Sequence, residues 1–212
     1  MTKLVQIGVL SERRQMPMDA AVENMSRVVC ALLVRGLRRK LSTTGFWKVS
    51  IHINESDLRV IGKVIGGVLM VAREFPVGEF IQWPLERRQS YMLEFVSTTL
   101  RDVLRERDLD ASLVDDAIRC VIQQEFRNVI VGKKRFRNPD TGEVAHIECV
   151  QEMDDARIYV VVGTSSRSKR RVMVASSVPN EFIIQRYFGT VSWPSSGRPV
   201  LLRIDGSTIE MP

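Results

Sequence analysis

The sequence predicts an α+β protein with an N-terminal β-α-β-β unit, an antiparallel helical hairpin and a C-terminal antiparallel β meander. Three observations predict this class. Apolar residues recur at helical spacing in three segments, two of these segments are joined by a short link, and the apolar period changes to two from Asn128 onward. A chain of 212 residues with 44% hydrophobic and 26% charged residues has ordinary globular composition and can bury a sizeable core.

The N-terminal segment predicts strand, helix, strand, strand. Residues 3–10 form the first predicted strand, and Pro17 begins a helix whose apolar residues recur every three or four positions. Arg35 and the basic residues after it lie in the last turns, where cations stabilise the negative end of the helix dipole. Two strands are then predicted, from Trp47 to Asn54 and from Val64 to Phe75.

The middle of the chain predicts two helices. Pro84 begins a long amphipathic helix that extends to about Arg107. The link at 109–112 is short, with Asp110 as the predicted N-cap of a second helix that ends near Phe126. Because a link of this length leaves little room for a crossover, the two helices are expected to lie antiparallel.

The C-terminal segment predicts antiparallel strands joined by tight turns. In the first turn, Pro139 fixes φ and Gly142 supplies a positive φ. The predicted strands are Val129–Arg137, Glu143–Glu152, Arg157–Thr164 and Arg171–Ser176, with further strands over Phe182–Val191 and Val200–Ile204.

The predicted boundaries are 1–80, 84–127 and 128–212, and these segments form either three subdomains or one continuous domain. The net charge of +6 is unevenly distributed. The first 50 residues carry +6, residues 51–128 carry −3, and residues 129–212 carry +3. A basic balance favours association with anionic surfaces and says nothing about the fold.

The three cysteines predict a reducing compartment. Cys30, Cys120 and Cys149 are odd in number and far apart, and each lies in an apolar pattern. We therefore expect reduced core cysteines of a cytoplasmic protein, not disulfides or a metal site. The longest apolar runs fall far short of the roughly 20 residues of a membrane-spanning helix, and the N-terminal residues lack the apolar stretch of a secretory signal.

The sequence contains few candidate catalytic side chains. The sequence has two histidines, no phosphate-binding glycine loop, no paired cysteine motif and no acidic cluster at metal-ligand spacing. His52 and His146 are both predicted on the solvent-facing side of a strand. His146 and Glu148 could act as a general base and its orienting carboxylate, but no nucleophile or metal ligand lies in the same segment. We therefore predict a protein without catalytic activity, cofactor or metal.

A basic surface is predicted at one end of the meander, because its first and third turns emerge at the same end. This basic rim consists of the candidate partner-binding residues Arg135, Arg137, Arg167, Lys169 and Arg170, with Arg171 beside them. Such a rim could contact a phosphate backbone or an acidic protein patch. The alternative is that solvated hairpin tips prevent edge-to-edge pairing. Few aromatic residues lie nearby, so base stacking is not expected.

Two tryptophans lie at element boundaries. Trp83 and Trp193 each precede a proline. Tryptophans in such positions often fill the edge of a core, and they are also frequent anchors of protein interfaces. Trp193 is therefore a further candidate partner-binding residue, with the core-edge role as the alternative.

A pattern between residues 86 and 126 has a counterpart in a known family. It consists of Glu86-Arg87-Arg88, Leu93-Glu94 on a helix, the Leu109-Asp110 link and a second helix closing on Phe126, followed by a strand-rich tail. The pattern resembles bacterial immunity proteins encoded beside polymorphic toxins, which bind and block a cognate toxin. Many such inhibitors are acidic, whereas this chain is basic. The resemblance therefore implies an acidic partner face or a contact that is not mainly electrostatic, and no functional residue is carried over from it.

The expected function is binding of another protein, in the form of an immunity protein that covers the active site of a toxin with about 800 Å² of surface per partner. The basic rim and Trp193 are the expected contacts. The first alternative is a nucleic-acid-associated accessory protein that uses the same rim. The second is an enzyme in which His146 and Glu148 act.

Overall fold

The chain divides into two structural units, residues 1–127 and residues 128–212. The structure, a computed structural model, describes residues 2–11, 17–37, 41–54, 60–164, 169–194 and 198–211. Both units combine helices with sheets, which confirms the predicted α+β class. Among the described helices, none has the length and apolar character needed to span a bilayer.

The first unit is built on a four-stranded mixed sheet. The strands of this unit are β1 (Thr2–Lys3), β2 (Gln6–Ser11), β3 (Ser42–Thr43), β4 (Lys48–Asn54), β5 (Val60–Ile65) and β6 (Val68–Glu74). The sheet order is β2-β4-β6-β5, with β2, β4 and β6 parallel and β5 antiparallel to β6, while β1 and β3 form a separate ribbon. The inward residues of β4 are confirmed, because Val49, Ile51 and Ile53 are at most 1% exposed, but the polar face is partly covered as well, with Ser50 at 3% exposure.

The described residues of the first unit form four helices. They are α1 (Pro17–Leu37), α2 (Val77–Phe80), α3 (Leu85–Glu106) and α4 (Leu113–Gln123). The apolar stripe of α1 is buried, with Leu32 and Leu33 both at 0% exposure. Near its end, α1 approaches α4 so closely that a Cβ at Gly36 would lie 2.7 Å from Ala117 Cα. Only glycine fits such a contact without displacing a helix.

The predicted single strand over Val64–Phe75 is wrong. The structure has two strands there, β5 and β6, joined by Gly66 and Gly67 with φ values of 57° and 78°. Two successive positive φ values are typical of a two-residue hairpin turn, and glycine adopts them without a steric penalty. The main sheet of this unit therefore contains one strand more than predicted.

The predicted ends of α4 are also corrected. Ser112, not Asp110, holds the N-cap position, and Asp110 Oδ1 accepts hydrogen bonds from Ser112 N (2.9 Å) and Ser112 Oγ (2.7 Å). Asp110 thus forms a turn before the helix and does not cap it. The helix ends at Gln123, because Glu125 and Phe126 adopt positive φ values of 50° and 56°.

The second unit begins with an antiparallel sheet. Its strands are β7 (Asn128–Val131), β8 (Phe136–Arg137), β9 (Val144–Gln151), β10 (Ala156–Gly163) and β11 (Lys169–Ser177). The order is β11-β10-β9-β7, with β8 also paired to β9, which confirms the predicted meander. The predicted first strand is interrupted after Val131, and both of its parts pair with β9.

A smaller three-stranded sheet completes the second unit. Its strands are β12 (Thr190–Ser192), β13 (Val200–Leu202) and β14 (Thr208–Glu210), preceded by α5 (Glu181–Ile184) and a 3-10 turn (Gln185–Tyr187). The predicted strand over Phe182–Val191 is therefore wrong for most of its length. Asn180 Oδ1 accepts a hydrogen bond from Phe182 N (3.0 Å) and caps a helical turn there.

The two sheets of the second unit share one core. From the larger sheet come Ala145, Ile147 and Cys149, each at most 2% exposed, and from the smaller sheet come Val191 and Leu201. One face of the meander is thus covered, and the candidate site lies on its other face.

Candidate binding groove

The face of the meander that points away from this core carries a groove of about 440 Å³. Because Ala145 and Ile147 belong to the core, strand alternation turns Val144, His146 and Glu148 toward the opposite face. The walls of this outer groove include Val131, Arg135, His146, Glu148, Val161 and Lys169.

Strand register explains why these residues converge. His146 on β9 pairs with Val161 on β10, which pairs in turn with Arg171 on β11. Two residues further along β10, Gly163 pairs with Val144 on β9 and with Lys169 on β11. Residues that are distant in sequence therefore form short rows across the sheet.

The prediction that His146 faces water is wrong. His146 is 8% exposed, and its Nε2 lies 2.9 Å from Glu148 Oε1. Val161 pairs with His146 across β10 and β9, and Val131 on β7 lines the same groove. The other histidine, His52, is half-buried, and its Nε2 lies 3.3 Å from Ser50 Oγ.

Glu148 joins the histidine to an arginine. Its Oε2 lies 3.5 Å from Arg171 Nε, while its Oε1 contacts His146. The guanidinium carbon of Arg171 lies 3.7 Å from the centroid of the Tyr159 ring. A cation over an aromatic face is attracted by the ring quadrupole. Two contacts therefore fix the position of Arg171, which sequence reasoning placed beside the basic rim but did not select.

Two of the predicted basic-rim residues meet in the outer groove. Arg135 and Lys169 both line it, as expected if the first and third turns share one end of the meander. Arg135 Nη1 donates hydrogen bonds to the carbonyl oxygens of Gly132 and Lys134. Its guanidinium is thus held against the chain beside β8.

The other basic-rim residues lie elsewhere. Arg137 is exposed on β8, beside the groove wall formed by Val144. Arg170 is exposed but pairs with the core residue Val162, so it lies on the opposite side of β11 from Lys169. Arg167 lies outside the described residues.

Trp193 is placed apart from the groove. Its half-buried ring packs against the core shared by the two sheets of the second unit. The structure therefore places Trp193 where the core-edge alternative expected it.

The groove combines positive charge with apolar surface. Arg135 and Lys169 line the groove, and Glu148, the one carboxylate among its described lining residues, contacts His146 through Oε1 and Arg171 through Oε2. On the same face, Val131 and Met173 are exposed by 46% and 56%. This arrangement suits an anionic group that is flanked by apolar contacts.

The described part of the chain contains no group of three or more His, Cys, Asp or Glu residues that could hold a metal ion.

Comparisons with protein-family models, curated proteins and solved structures found no match. The likeness to immunity proteins therefore depends on the residue pattern between 86 and 126 alone.

Proposed function

We propose that the protein is a cytoplasmic binding module without catalytic activity, which takes an acidic surface of a partner protein into the outer groove. The observation that carries the proposal is that Arg135 and Lys169 line a groove whose one described carboxylate, Glu148, is already paired with Arg171. In its narrower form, the partner is a bacterial toxin whose active site the chain covers. The resemblance of residues 86–126 to immunity proteins supports this narrower form.

The surroundings of the groove favour a protein partner over a nucleic acid. Interface cores combine apolar side chains with arginine, and Val131 and Met173 supply exposed apolar area beside Arg171. A base-stacking surface needs an accessible aromatic face. One face of Tyr159 is already covered by the Arg171 guanidinium.

The contact between His146 and Glu148 has a structural role in this proposal. Glu148 binds His146 through one oxygen and Arg171 through the other, so the pair orients a cation toward the partner. Proton transfer to a substrate is not required of it.

The test is affinity capture of the tagged full chain from lysate of its source, with and without nuclease. The groove variant is Arg135→Glu with Lys169→Glu, and the matched control is Lys63→Glu with Arg198→Glu, at exposed positions outside the groove. A stoichiometric protein should survive nuclease, remain with the control and fall at least about tenfold with the groove variant, as expected for loss of charge complementarity.

Two results would contradict the proposal. Equal capture by the groove variant and the control would remove the outer groove as the binding surface. Recovery that collapses with nuclease would identify a nucleic-acid partner instead, and its affinity should then fall steeply with salt.

A further inference from the structure

A second cavity, of about 430 Å³, lies in the first unit between the end of β6 and one face of α3. Its walls include Arg73, Tyr91, Glu94, Phe95, Thr98 and Asp102. The α3 residues recur every three or four positions, so they share one face of the helix. This α3 cavity is independent of the outer groove, and its volume falls in the range of small-ligand pockets.

One wall of the α3 cavity is aromatic and rigid. The rings of Tyr91 and Phe95 are nearly parallel, with an interplanar angle of 10° and centroids 6.5 Å apart. The buried Phe75 packs edge-on against both rings, at 5.5 Å and 4.8 Å. Because Phe75 packs against both rings, their positions are fixed, and both residues line the cavity.

The charge of the cavity lining is negative. Arg73 is the one basic side chain in the described part of the lining, is 8% exposed and has Nη2 3.3 Å from Asp102 Oδ2. Asp102 therefore balances the charge of Arg73, Glu74 takes part in an interaction of its own, and Glu94 adds a further carboxylate to the described lining. Burial raises the pKa of the Tyr91 phenol, and Glu74 and Glu94 raise it further, as expected at a site of negative potential.

These observations discriminate between classes of ligand. An anion would meet excess negative charge, since the only guanidinium among the described lining residues is already paired. A metal ion would need a set of ligating side chains, and the described residues contain no such group. An aromatic face beside carboxylates is instead typical of sites for organic cations.

We propose that the α3 cavity binds a small organic cation through an alkylammonium or guanidinium group. The cationic head lies against the Tyr91 and Phe95 rings, and Glu94 compensates its charge from the mouth of the cavity. The Thr98 hydroxyl is available to accept a hydrogen bond from an N–H of the ligand.

The test is an NMR titration of the ¹⁵N-labelled full chain with n-butylguanidinium and n-butylammonium, and with butyramide and butyrate as neutral and anionic controls. Saturable shifts are expected for at least one cation at the amides of the cavity residues. Glu94→Gln should weaken this binding about threefold, the effect of one exposed charge pair. Glu106→Gln removes an exposed carboxylate of the same helix outside the cavity and should leave the affinity unchanged.

Tyr91→Leu removes part of the aromatic wall and should weaken binding more than Glu94→Gln does, with unchanged far-ultraviolet circular dichroism as the check on folding. The proposal is overturned if neither cation produces saturable shifts below about 10 mM, the range of very weak ligands. It is also overturned if butyramide or butyrate binds as well as the cations, or if the shifts lie away from the cavity.

Discussion

The two units place their candidate sites in different parts of their sheets. In the first unit, Arg73 lies near the carboxyl end of the parallel strand β6, at the wall of the α3 cavity. In the second unit, His146 and Glu148 lie along a strand in the middle of an antiparallel sheet. Parallel sheets are generally covered on their faces, and ligands bind at their strand ends, whereas an antiparallel sheet can leave one face open. Sheet type therefore determines where polar side chains can collect.

The difference in sheet type is also seen in how far the paired arginines of the two units are exposed to water. The side chain of Arg73 is 10% exposed and depends on Asp102, whereas that of Arg171 is 43% exposed and reaches water as well as Glu148. We therefore expect loss of an acidic partner to be costly in the first unit and mild in the second.

The largest effects are expected where backbone segments touch. A Cβ at Gly189 would lie 2.0 Å from Leu202 O in the second unit, and one at Gly36 would lie 2.7 Å from Ala117 Cα in the first. Gly189→Ala and Gly36→Ala should each lower the free energy of unfolding by about 1–3 kcal/mol or more, because overpacking displaces backbone.

Urea denaturation measures this effect, and Gly78→Ala is the control, because a Cβ there meets nothing within 4 Å. Gly36→Ala is the sharper case, since alanine favours a helix by about 1 kcal/mol over glycine. A stabilised Gly36→Ala variant would show that α1 and α4 do not pack as closely as described.

The next largest change in stability is expected when Arg73 or Arg171 loses its acidic partner. Asp102→Asn leaves the buried Arg73 without its carboxylate and should lower the free energy of unfolding by about 1–2 kcal/mol, a value discounted for the partial exposure of Asp102. Glu148→Gln should lower it by less than about 1 kcal/mol, because Arg171 stays hydrated. Denaturation of the two variants measures both losses. A larger loss of free energy of unfolding for Glu148→Gln than for Asp102→Asn would contradict the proposed difference between the units.

Labelling of the cysteine thiols measures the opening of each core separately. Burial, and to a lesser extent Asp155, raises the pKa of the Cys149 thiol to about 12, while Cys120 is half-exposed. Since the thiolate is the reactive form, a maleimide at pH 8 should label Cys120 first, and should label the buried Cys30 and Cys149 only when their cores open. Rapid labelling of Cys149 in the folded protein would contradict its place in the shared core.

The raised pKa of Cys149 also predicts a direction with pH. The unfolded thiol loses its proton above its ordinary value of about 9, while the folded thiol keeps it up to about 12. The free energy of unfolding should therefore fall as pH rises through this interval, and Cys149→Ala should fall less steeply. Parallel alkaline profiles of the two proteins would refute this contribution.

The smallest effect concerns a turn that occurs in both units. Asp110 bonds Ser112, and Asp205 bonds Ser207, through the backbone N–H and the hydroxyl in each case. These bonds lower the pKa of both carboxyls. Their stabilisation should be present above the ordinary carboxyl pKa and should be lost as pH falls through the lower folded value.

Acid titration of each variant, Asp110→Ala and Asp205→Ala, measures this small contribution. Both variants should show slightly lower stability at pH 7 and a shallower loss of stability in acid than the unaltered chain. Unchanged acid profiles would show that the turns contribute nothing.

Local patterns predicted much of the fold, and contacts between distant segments explain the rest. The alternation of β9 identified Ala145 and Ile147 as core residues, and meander geometry brought Arg135 near Lys169. The burial of His146 was not predictable, because it depends on side chains from neighbouring strands.

The sequence contained local signals for the β5–β6 hairpin and for the α5 helix, which were predicted wrongly, but it contained none for the α3 cavity. Gly66-Gly67 between apolar runs is a hairpin signal, and Asn180 is a helix-capping signal, yet the apolar pattern around each favoured a continuous strand. The α3 cavity had no local signal, since it requires knowledge of which helix face passes the end of β6.

The most direct test of the outer groove is an NMR titration of the ¹⁵N-labelled full chain with a hexaglutamate peptide and, separately, with a hexathymidylate oligonucleotide. We predict that the peptide shifts the amides of Val131, Val161 and Lys169, and that Arg135→Glu with Lys169→Glu removes these shifts. Peptide shifts that persist in this variant, or an oligonucleotide that binds the groove more tightly than the peptide, would contradict a groove that recognises acidic protein surfaces.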